Sequence, residues 1–227
     1  MNKTIKNNND LVITSGGVEN NNALVLWGTN LYSTTGERYT KYELSIVKLP
    51  NNIKSVMVGV ILSDGHIALH SKGKNAYLIF NQSLAKSAYV YFIFDYLNHY
   101  CQSYPSLNTR YNTKKPSSIL RIATRSMPCI TELHNNYYVN KIKTINNSIY
   151  DDLTPIALAH WIMGDGTFSS SVILCRDSFT VKEIILLINV LMIKFKIKSI
   201  VRYHWKKYPR IYVCKESLPK LRLIVQP

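Results

Sequence analysis

The sequence predicts an α+β protein in which one arrangement occurs twice. Residues 57–65 read MVGVILSDG and residues 158–166 read LAHWIMGDG, so each segment is an apolar run that ends in a small residue, an aspartate and a glycine. After each run, the spacing of apolar residues predicts a hairpin, a helix, a second hairpin and a final helix. A chain of 227 residues has room for two domains of about 100 residues each. We infer an internal duplication.

This repeated order sets the expected boundaries. An N-terminal arm and irregular extension should cover residues 1–50, of which the first 22 are polar and rich in asparagine. The first half then covers 51–140, a linker covers 141–153, and the second half covers 154–227. The elements expected after the first motif helix are strands 66–72 and 77–82, helix 86–101, strands 110–114 and 118–125, and helix 128–138. Those expected in the second half are motif helix 155–164, a hairpin within 167–176, helix 181–196, strands 198–205 and 210–214, and a terminal helix from near Glu216.

Helix-start and helix-stop residues flank both motif runs. Thr154 precedes a proline, which predicts a side-chain cap followed by proline at the first helical position. Asn51 and Asn52 are candidate caps for the first run. Gly65 and Gly166 lie where a left-handed glycine ends many helices. Each motif is therefore expected to form a buried helix with one acid at its C-terminal tip.

The position of the two aspartates indicates a bound cation. A helix C-terminus already gathers unpaired carbonyl oxygens and partial negative charge, so a carboxylate there is disfavoured unless a cation shares the site. If the two helices lie side by side, Asp64 and Asp165 meet at one end, and two close carboxylates repel unless divalent cations lie between them. Carboxylate oxygens, completed by the backbone carbonyls of Ser63 and Gly164, suit magnesium or manganese.

Small residues predict how the two motif helices pack. Gly59 and Ser63 lie on one helical stripe, and Ala157, His160 and Gly164 lie on the other. Such stripes allow two helix backbones to approach closely. The large His160 would then lie opposite the small Gly59.

The composition favours a polyanionic partner. Lys and Arg number 28 against 13 Asp and Glu, which gives a formal charge of +15. The excess is spread along the chain after residue 70, so it suggests a basic folded surface that binds nucleic acid before membrane. A basic surface that flanks a metal-binding pair of acids indicates metal-assisted phosphodiester hydrolysis, with a lysine steadying the charge.

Other classes of protein are disfavoured by the same sequence. No apolar run reaches the roughly 18 residues needed to span a bilayer, so no membrane partner is expected. The polar N-terminus does not resemble a signal peptide. The four cysteines form no CxxC pair, and we expect reduced thiols in an intracellular protein.

The two nonapeptides and their context resemble a known family. MVGVILSDG and LAHWIMGDG resemble the two motifs of the LAGLIDADG homing endonucleases, specifically the single-chain, two-motif group encoded in fungal mitochondrial introns. The likeness includes GTNLYSTTGERYTKYEL before the first motif and KTINNSIYDDLTPIALAHWIMGDG through the second, and it covers nearly everything after residue 25.

The resemblance implies two pseudo-symmetric αββαββα halves whose saddle-shaped antiparallel sheets lie over double-stranded DNA. It implies a magnesium-dependent double-strand break in a long target site, as in intron homing, with Asp64 and Asp165 as the metal-binding catalytic acids. Lys143, in the KT before the second motif, matches one of the family's basic active-site residues. Manganese is expected to substitute for Mg²⁺, and Ca²⁺ to support binding without cleavage.

Two features depart from the family pattern. His160 stands where the third motif position usually holds a small residue, which changes helix packing more than catalysis. Related two-motif chains continue past a segment like LIVQP and carry a second active-site lysine there, whereas this sequence ends at Pro227. We expect an impaired second cut if that end is native.

Strand alternation predicts the side chains that face DNA, because they lie between the positions that face the helices. Arginines can read guanine edges, and lysines more often hold phosphates. In the first half the expected contacts are Lys72, Lys74, Tyr77, Asn81, Arg110, Asn112, Lys114, Arg121 and Arg125. In the second half they are Arg176, Arg202, His204, Lys206, Arg210 and Tyr212. Trp161 and Trp205 are expected to pack in the core or on strands instead of stacking on bases.

Three functions remain open from the sequence. The first is a site-specific DNA endonuclease, which the two retained aspartates favour because an RNA-binding surface has no need for acids at a cation-demanding helix end. The second is an RNA maturase that binds its own group I intron RNA and assists splicing. The third is a DNA-binding protein that has lost cleavage. The duplication predicts action as a monomer, and the family together with the AT-rich type of composition predicts a mitochondrial location.

Overall fold

The computed structural model describes residues 34–70, 73–110, 117–168, 170–174, 179–205 and 208–226. A short helix, α1 (Lys41–Ile46), precedes the first motif helix, α2 (Asn51–Leu62). There follow β1 (His66–Leu69), β2 (Ala76–Ser83), α3 (Ser87–Leu97), β3 (Ser106–Arg110), β4 (Ser117–Ala123) and α4 (Pro128–Tyr137). The connection to the second half contains β5 (Tyr138–Val139), β6 (Ile142–Lys143) and α5 (Ile149–Asp152).

The second half repeats the first in shorter form. Its elements are the motif helix α6 (Pro155–Asp165), β7 (Gly166–Phe168), β8 (Val172–Leu174), α7 (Val181–Phe195), β9 (Ser199–His204), β10 (Tyr208–Val213) and α8 (Leu218–Val225). The order αββαββα therefore occurs twice, and the predicted fold class is confirmed.

Each half contains a four-stranded antiparallel sheet with the same strand order. The order is β1-β2-β4-β3 in the first sheet and β7-β8-β10-β9 in the second. Apolar residues alternate along the central strands and are buried against the helices, as Phe80 on β2, Ile122 on β4 and Ile211 on β10 illustrate. The more polar residues of these strands alternate with the buried ones and lie on the opposite face of each sheet.

The two motif helices lie at the centre of the molecule. Every residue of α2 from position 56 to 62 is buried, and α6 buries Trp161 and its neighbours in the same hydrophobic cluster. One core thus runs through both halves. No helix in the described ranges is long and apolar enough to cross a membrane.

The helix ends differ in part from the expectation. Thr154 caps α6 as predicted, because its hydroxyl accepts a hydrogen bond from Ala157 N at 3.2 Å. The expectation for Asn51 and Asn52 was wrong, because α2 begins directly after Pro50 and both asparagines lie inside its first turn.

The two motif glycines are also not left-handed. Gly36 is the glycine with a positive φ in the described part of the chain, and Gly166 has φ −70° in extended backbone. Both motif glycines instead permit close packing. A Cβ atom on Gly65 would lie 2.5 Å from Val60 Cγ1, and one on Gly166 would collide with the carbonyl oxygen of Ile162.

Three further regions of the chain differ from the expectation. The extension contains α1, which Thr40 and Glu43 start with a reciprocal capping box. The third strand runs from Ser106 to Arg110, earlier than the predicted 110–114, and residues 111–116 lie outside the described ranges. The linker contains β6 and α5, and β6 forms a hairpin with β5 at the end of the first half.

Candidate active site

The site is built on the contact between α2 and α6. Gly59 lies directly against α6, so that a Cβ atom there would be 2.6 Å from His160 Cβ and would also collide with the carbonyl oxygen of Ala157. Toward the C-terminal ends, Gly164 lies equally close to the side chain of Ser63. The structure therefore brings together the five positions of the two predicted stripes, and the two helices run in the same direction.

This packing determines where the two acids lie. Ser63 and Gly164 touch each other, and each is followed directly by an aspartate, so Asp64 and Asp165 leave the helix pair at the same end. Both aspartates are half-buried. The chain thus places two carboxylates where two sets of helix C-terminal carbonyls already converge.

Asp64 is held by a residue that the sequence analysis missed. The side-chain amide of Gln82 donates a hydrogen bond to Asp64 Oδ2. Gln82 is buried on the helix-facing side of β2, in the alternation that includes Leu78 and Phe80. The sequence did contain a signal for Gln82, because it is a polar residue at a position of β2 where the alternation places apolar, helix-facing residues.

Lys143 lies at the C-terminal end of α2. Its ammonium donates to the carbonyl oxygens of Ile61 and Gly65, each at 2.6 Å. These contacts give the helix end a positive partner beside Asp64, which is the favourable sign of charge at a helix C-terminus.

The β5–β6 hairpin positions this lysine. Asn140 and Lys141 have φ values of 51° and 66°, as the two central residues of a tight type I′ turn require. Tyr138 pairs with Lys143 across the hairpin, and its hydroxyl accepts a hydrogen bond from Ile67 N at 2.9 Å. The hairpin is therefore fastened to β1, just after the first motif.

The end of α6 has a different cationic partner. Lys86, the last residue of the short 3₁₀ turn Leu84–Lys86, donates from Nζ to the carbonyl oxygen of Gly164 at 3.3 Å. Lys86 belongs to the first half, and its side chain is exposed. Sequence reasoning did not find it, because nothing local marks a lysine that reaches another half of the molecule.

His160 lies between the motif helices and α3. Its ring stacks on Tyr89 and Phe92, with centroids 6.1 and 5.9 Å away, and Tyr89 Oη lies 3.3 Å from Nδ1 and donates to the His160 carbonyl at 3.1 Å. Burial lowers the pKa of His160 to about 4. Burial, together with the charge of Asp64, raises the pKa of Tyr89. Both rings are therefore neutral at pH 7, which fits a packing role for His160.

The donors at the helix ends are hard oxygens. Within the described ranges, no group of three or more His, Cys, Asp and Glu side chains is placed to hold a metal ion. Each helix end instead offers one carboxylate and a backbone carbonyl, which suits Mg²⁺ or Mn²⁺ with water completing the coordination shell and does not suit zinc.

Most of the described candidate DNA contacts lie on the sheet face opposite the helices. Asn81 pairs with Arg121 across β2 and β4, and Arg202 pairs with Arg210 across β9 and β10. Lys74 and Arg202 are exposed, whereas Tyr77, Asn81, Arg121, His204 and Arg210 are partly buried. Arg110 shares the register of this face, but its side chain lies outside the described part of the structure. Five further candidates lie entirely outside the described ranges: Lys72, Asn112, Lys114, Arg176 and Lys206.

Two nominated residues are occupied within the protein. The expectation for Arg125 was wrong, because its guanidinium is buried and donates to the carbonyls of His99, Thr34 and Glu37 at 2.8–3.0 Å. Arg125 thereby fastens the N-terminal extension to the first half. Tyr212 is buried beneath the guanidinium of Arg202, which lies 3.7 Å above its ring, so only the arginine presents a surface there.

Trp161 and Trp205 differ in burial. Trp161 is in the core, as expected, with 1% exposure. Trp205 is 80% exposed at the end of β9, with φ 50° and its ring 4.4 Å from that of His204. Trp205 therefore does not lie in the core, and its ring contact is with His204 of β9.

Several known proteins are similar to this chain. The profile of the LAGLIDADG DNA endonuclease family matches residues 54–221. Cytochrome b mRNA maturase bI2 of Saccharomyces cerevisiae is 32% identical over 196 residues, which are 81% of this chain and 46% of that protein. The protein of the same name from Debaryomyces hansenii is 30% identical over 186 residues, 79% of this chain and 71% of that one. This chain thus spans less than half the length of the Saccharomyces relative.

A solved structure shows the same architecture. The homing endonuclease I-WcaI, bound to its DNA recognition sequence, superimposes with a TM-score of 0.74 at 26% identity. The match covers 80% of this chain and 83% of that one. Since the family profile spans most of the chain and includes both aspartate motifs, the protein belongs to the LAGLIDADG DNA endonuclease family.

Proposed function

We propose that this protein is a site-specific DNA endonuclease that makes a double-strand break in a long target site with divalent metal ions. The observation that supports this proposal is the pairing of α2 and α6, which brings Asp64 and Asp165 to the same end of the helix pair. Each of these helix ends also receives a lysine ammonium. Acids that served only the fold would be costly at such positions.

The metal would be held by oxygens of the motif ends. Asp64 with the carbonyl of Ser63 would hold one ion, and Asp165 with the carbonyl of Gly164 would hold the other once the ammonium of Lys86 moves off that oxygen. Bound Mg²⁺ supplies Lewis-acid chemistry, which activates water and stabilises the leaving 3′ oxygen of a phosphodiester. Manganese is expected to substitute, and calcium to support binding alone.

The protein's own residues orient the first site and balance its charge. Gln82 fixes one carboxylate oxygen of Asp64 by its hydrogen bond. Lys143 keeps a positive charge at the end of α2, where negative charge on the phosphate increases during cleavage. The catalytic role of Lys143 is an inference from this position and from the family motif.

The sheet faces opposite the helices would bind the DNA. Arg121 in the first half and Arg202 with Arg210 in the second half offer planar donors that can read bases or hold phosphates. Lys74 and the exposed Trp205 lie on hairpins that extend this surface. We expect one copy of the chain to span the whole site, because two half-sites are present in one polypeptide; a dimer as the DNA-bound species in sedimentation would contradict this.

A second function has specific support. Two relatives that match most of this chain carry the name of cytochrome b mRNA maturase, so assistance of intron splicing is the second candidate function for the same basic surface. Their names also support a mitochondrial location, since group I intron proteins of this type act where the intron is transcribed. The third candidate function is that of a DNA-binding protein that has lost cleavage.

The test measures cleavage and binding side by side. The purified chain is incubated with a library of intron-insertion-site DNA in Mg²⁺ and, separately, in Ca²⁺, and the ends of any products are sequenced. Cuts on both strands at one long site in Mg²⁺ but not in Ca²⁺ support the nuclease. Tight binding without cuts in either metal would reject it, and intron RNA would be the next ligand.

Two matched substitutions assign the acids. Asp64→Asn and Asp165→Asn should each abolish cutting of one or both strands and leave binding in Ca²⁺ unchanged. Asp95→Asn, on an exposed position of α3, removes the same charge away from the helix ends and should cut normally. If either motif variant fails to fold while the control folds, that aspartate is structural.

A further inference from the structure

Trp205 is the most exposed large apolar side chain in the described ranges, with 80% of its surface open to solvent. It lies directly after β9, at the hairpin that leads into β10. Single apolar side chains are common on protein surfaces, so exposure alone carries no conclusion. The case for Trp205 depends on how its backbone and its ring are held.

The backbone of Trp205 adopts a conformation that suits a smaller residue. Its φ is 50°, in the left-handed region, and it is the one aromatic residue with a positive φ in the described part of the chain. Bulky side chains rarely occupy this region, and hairpin turns usually have Gly, Asn or Asp there. The fold alone would favour such a residue, so the large exposed ring needs a functional explanation.

The ring of His204 holds the indole of Trp205 in place. The two ring centroids are 4.4 Å apart, and the ring planes are tilted by 32°. His204 in turn pairs with Tyr208 across the hairpin, which fixes its position on the sheet. Part of the indole thus contacts an imidazole, and most of it remains open to solvent. The two residues, which we call the His204–Trp205 platform, present a flat aromatic surface as large as a nucleobase.

Positive charge lies next to this platform. Arg202 is two residues before His204 on β9, so the two side chains share one face of the sheet. Arg202 pairs with Arg210 across the ladder, and its exposed guanidinium lies 3.7 Å above the ring of Tyr212. Proteins that hold a single nucleic-acid strand combine these two features, because the cations contact phosphates while an aromatic ring stacks on a base.

We propose that the His204–Trp205 platform binds an unpaired nucleobase of a single-stranded nucleic acid by stacking. Inside a duplex both faces of each base are stacked on neighbouring bases, so neither face is open to the indole. A loop, a bulge or a free strand offers such a face. This site goes beyond the proposed nuclease function, because it uses neither the motif aspartates nor a paired target. Single strands of RNA and of DNA offer the same chemistry, and the experiment distinguishes them.

The experiment measures tryptophan fluorescence and affinity together. The full chain is titrated in EDTA, at one fixed salt concentration, with oligoadenylate strands of about 12 nucleotides, one of RNA and one of DNA. The same DNA strand paired with its complement is the duplex probe. Stacking of a base should quench the fluorescence of Trp205, whereas Trp161 is buried and should not respond. We expect quenching by at least one single strand and much weaker quenching by the duplex.

Substitutions at Trp205 separate stacking from folding. Trp205→Asn removes the ring and suits the left-handed backbone, so it should fold at least as stably as the wild type. It should lose the quenching and bind the single strand about 10-fold more weakly, measured by the anisotropy of a labelled strand. Trp205→Phe keeps a ring and should retain most of the affinity. The matched control, Tyr42→Ala, removes a 72% exposed aromatic side chain from α1 and should bind every probe like the wild type.

The outcomes decide both the site and the source of the base. If neither single strand quenches the fluorescence, or Trp205→Asn binds both strands like the wild type, the platform is not a stacking site. If Trp205→Asn weakens binding of duplex and single strands by the same factor, Trp205 is a general surface contact and the inference is also wrong. A loss on the RNA strand alone assigns the base to RNA, and a loss on the DNA strand alone assigns it to DNA. Because cleavage is not measured, a chain that cuts no DNA in Mg²⁺ would overturn the nuclease proposal and leave this one standing.

Discussion

The two halves share a backbone plan but differ in what surrounds each aspartate. Strand order and element order are the same in both. Asp64 nevertheless has Gln82 on one oxygen and Lys143 on the neighbouring carbonyls, whereas the end of α6 is contacted by Lys86 from the other half. The two halves thus keep the same backbone arrangement, whereas the side chains that contact each motif helix end differ.

The helix interface shows the same divergence at a single position. Gly59 and His160 each lie five residues before their aspartate, and they face each other across the interface. One position of the repeat therefore has no side chain, and its counterpart fills the space with an imidazole that extends to Tyr89 of α3. Two identical large residues could not pack there, so the asymmetry is required by volume.

The largest expected effect separates the two cleavage sites. Lys143→Met removes the ammonium from the end of α2, and we expect the Asp64-dependent strand to be cut about 10² to 10³-fold more slowly. The other strand should keep its rate. Strand-resolved single-turnover kinetics measure both rates in one sample. Equal slowing of both strands would mean that Lys143 supports the helix pair as a whole.

The second prediction concerns the pH dependence of stability that His160, the counterpart of Gly59, gives to the protein. Burial lowers the pKa of folded His160 to about 4, while an unfolded histidine titrates near 6.5. Between these values the unfolded chain binds a proton that the folded chain does not, so stability is complete above pH 6.5 and declines as the pH falls toward 4. The total loss is about 3 kcal/mol.

The check on that prediction is the slope of stability against pH. Urea unfolding of the wild type and of His160→Gln, repeated from pH 7.5 to 4.5, should give a shallower decline for the variant. His160→Gln will be less stable at pH 7.5 because the packing is altered, and this offset does not affect the slope. An identical slope in both proteins would show that His160 is protonated in the folded state without cost.

The third prediction concerns the contact between the first motif helix and the linker, where we expect a smaller effect on stability. Asp152 is buried and accepts hydrogen bonds from Lys54 Nζ at 2.6 Å and Tyr137 Oη at 2.8 Å. The second half has a proline, Pro155, at the position equivalent to Lys54, so it lacks this lysine. Asp152→Asn should lower the free energy of unfolding by about 2 kcal/mol, because the ammonium of Lys54 loses its charged partner.

The control for that variant is an ion pair of the same type in solvent. Glu216→Gln breaks the pair with Lys198, in which both side chains are more than half exposed, and it should lower the free energy of unfolding much less than Asp152→Asn does. Urea unfolding at pH 7 compares the two variants directly. Equal losses would argue that the linker contact contributes no more than a surface pair.

The sequence predicted those features that depend on local pattern. The motif helix α6, the helix α7 and the cap at Thr154 follow from apolar period and end signals within a few residues. The small helix α1 was missed although its signal was present, since Thr40 and Glu43 have the spacing of a capping box.

Contacts between distant residues could not be predicted in the same way. Gln82 and Lys86 lie near the site only because β2 ends beside the motif helices. Arg125 fitted the alternation of β4, but the strand ends at Ala123 and the chain then turns, which carries the guanidinium inward. A register argument holds only while a strand continues.

The smallest effect concerns the start of the two motif helices. Thr154 caps α6 through Ala157 N, whereas α2 starts after Pro50 without a side-chain cap. Thr154→Ala should therefore cost about 1 kcal/mol, and Asn51→Ala, inside the first turn of α2, should cost close to nothing. Urea unfolding resolves this difference if the slope of the free energy of unfolding against urea concentration is the same for both variants. Should Asn51→Ala prove as costly as Thr154→Ala, the asparagine would be capping α2 in solution, and the two halves would be more alike at their helix starts than at their active sites.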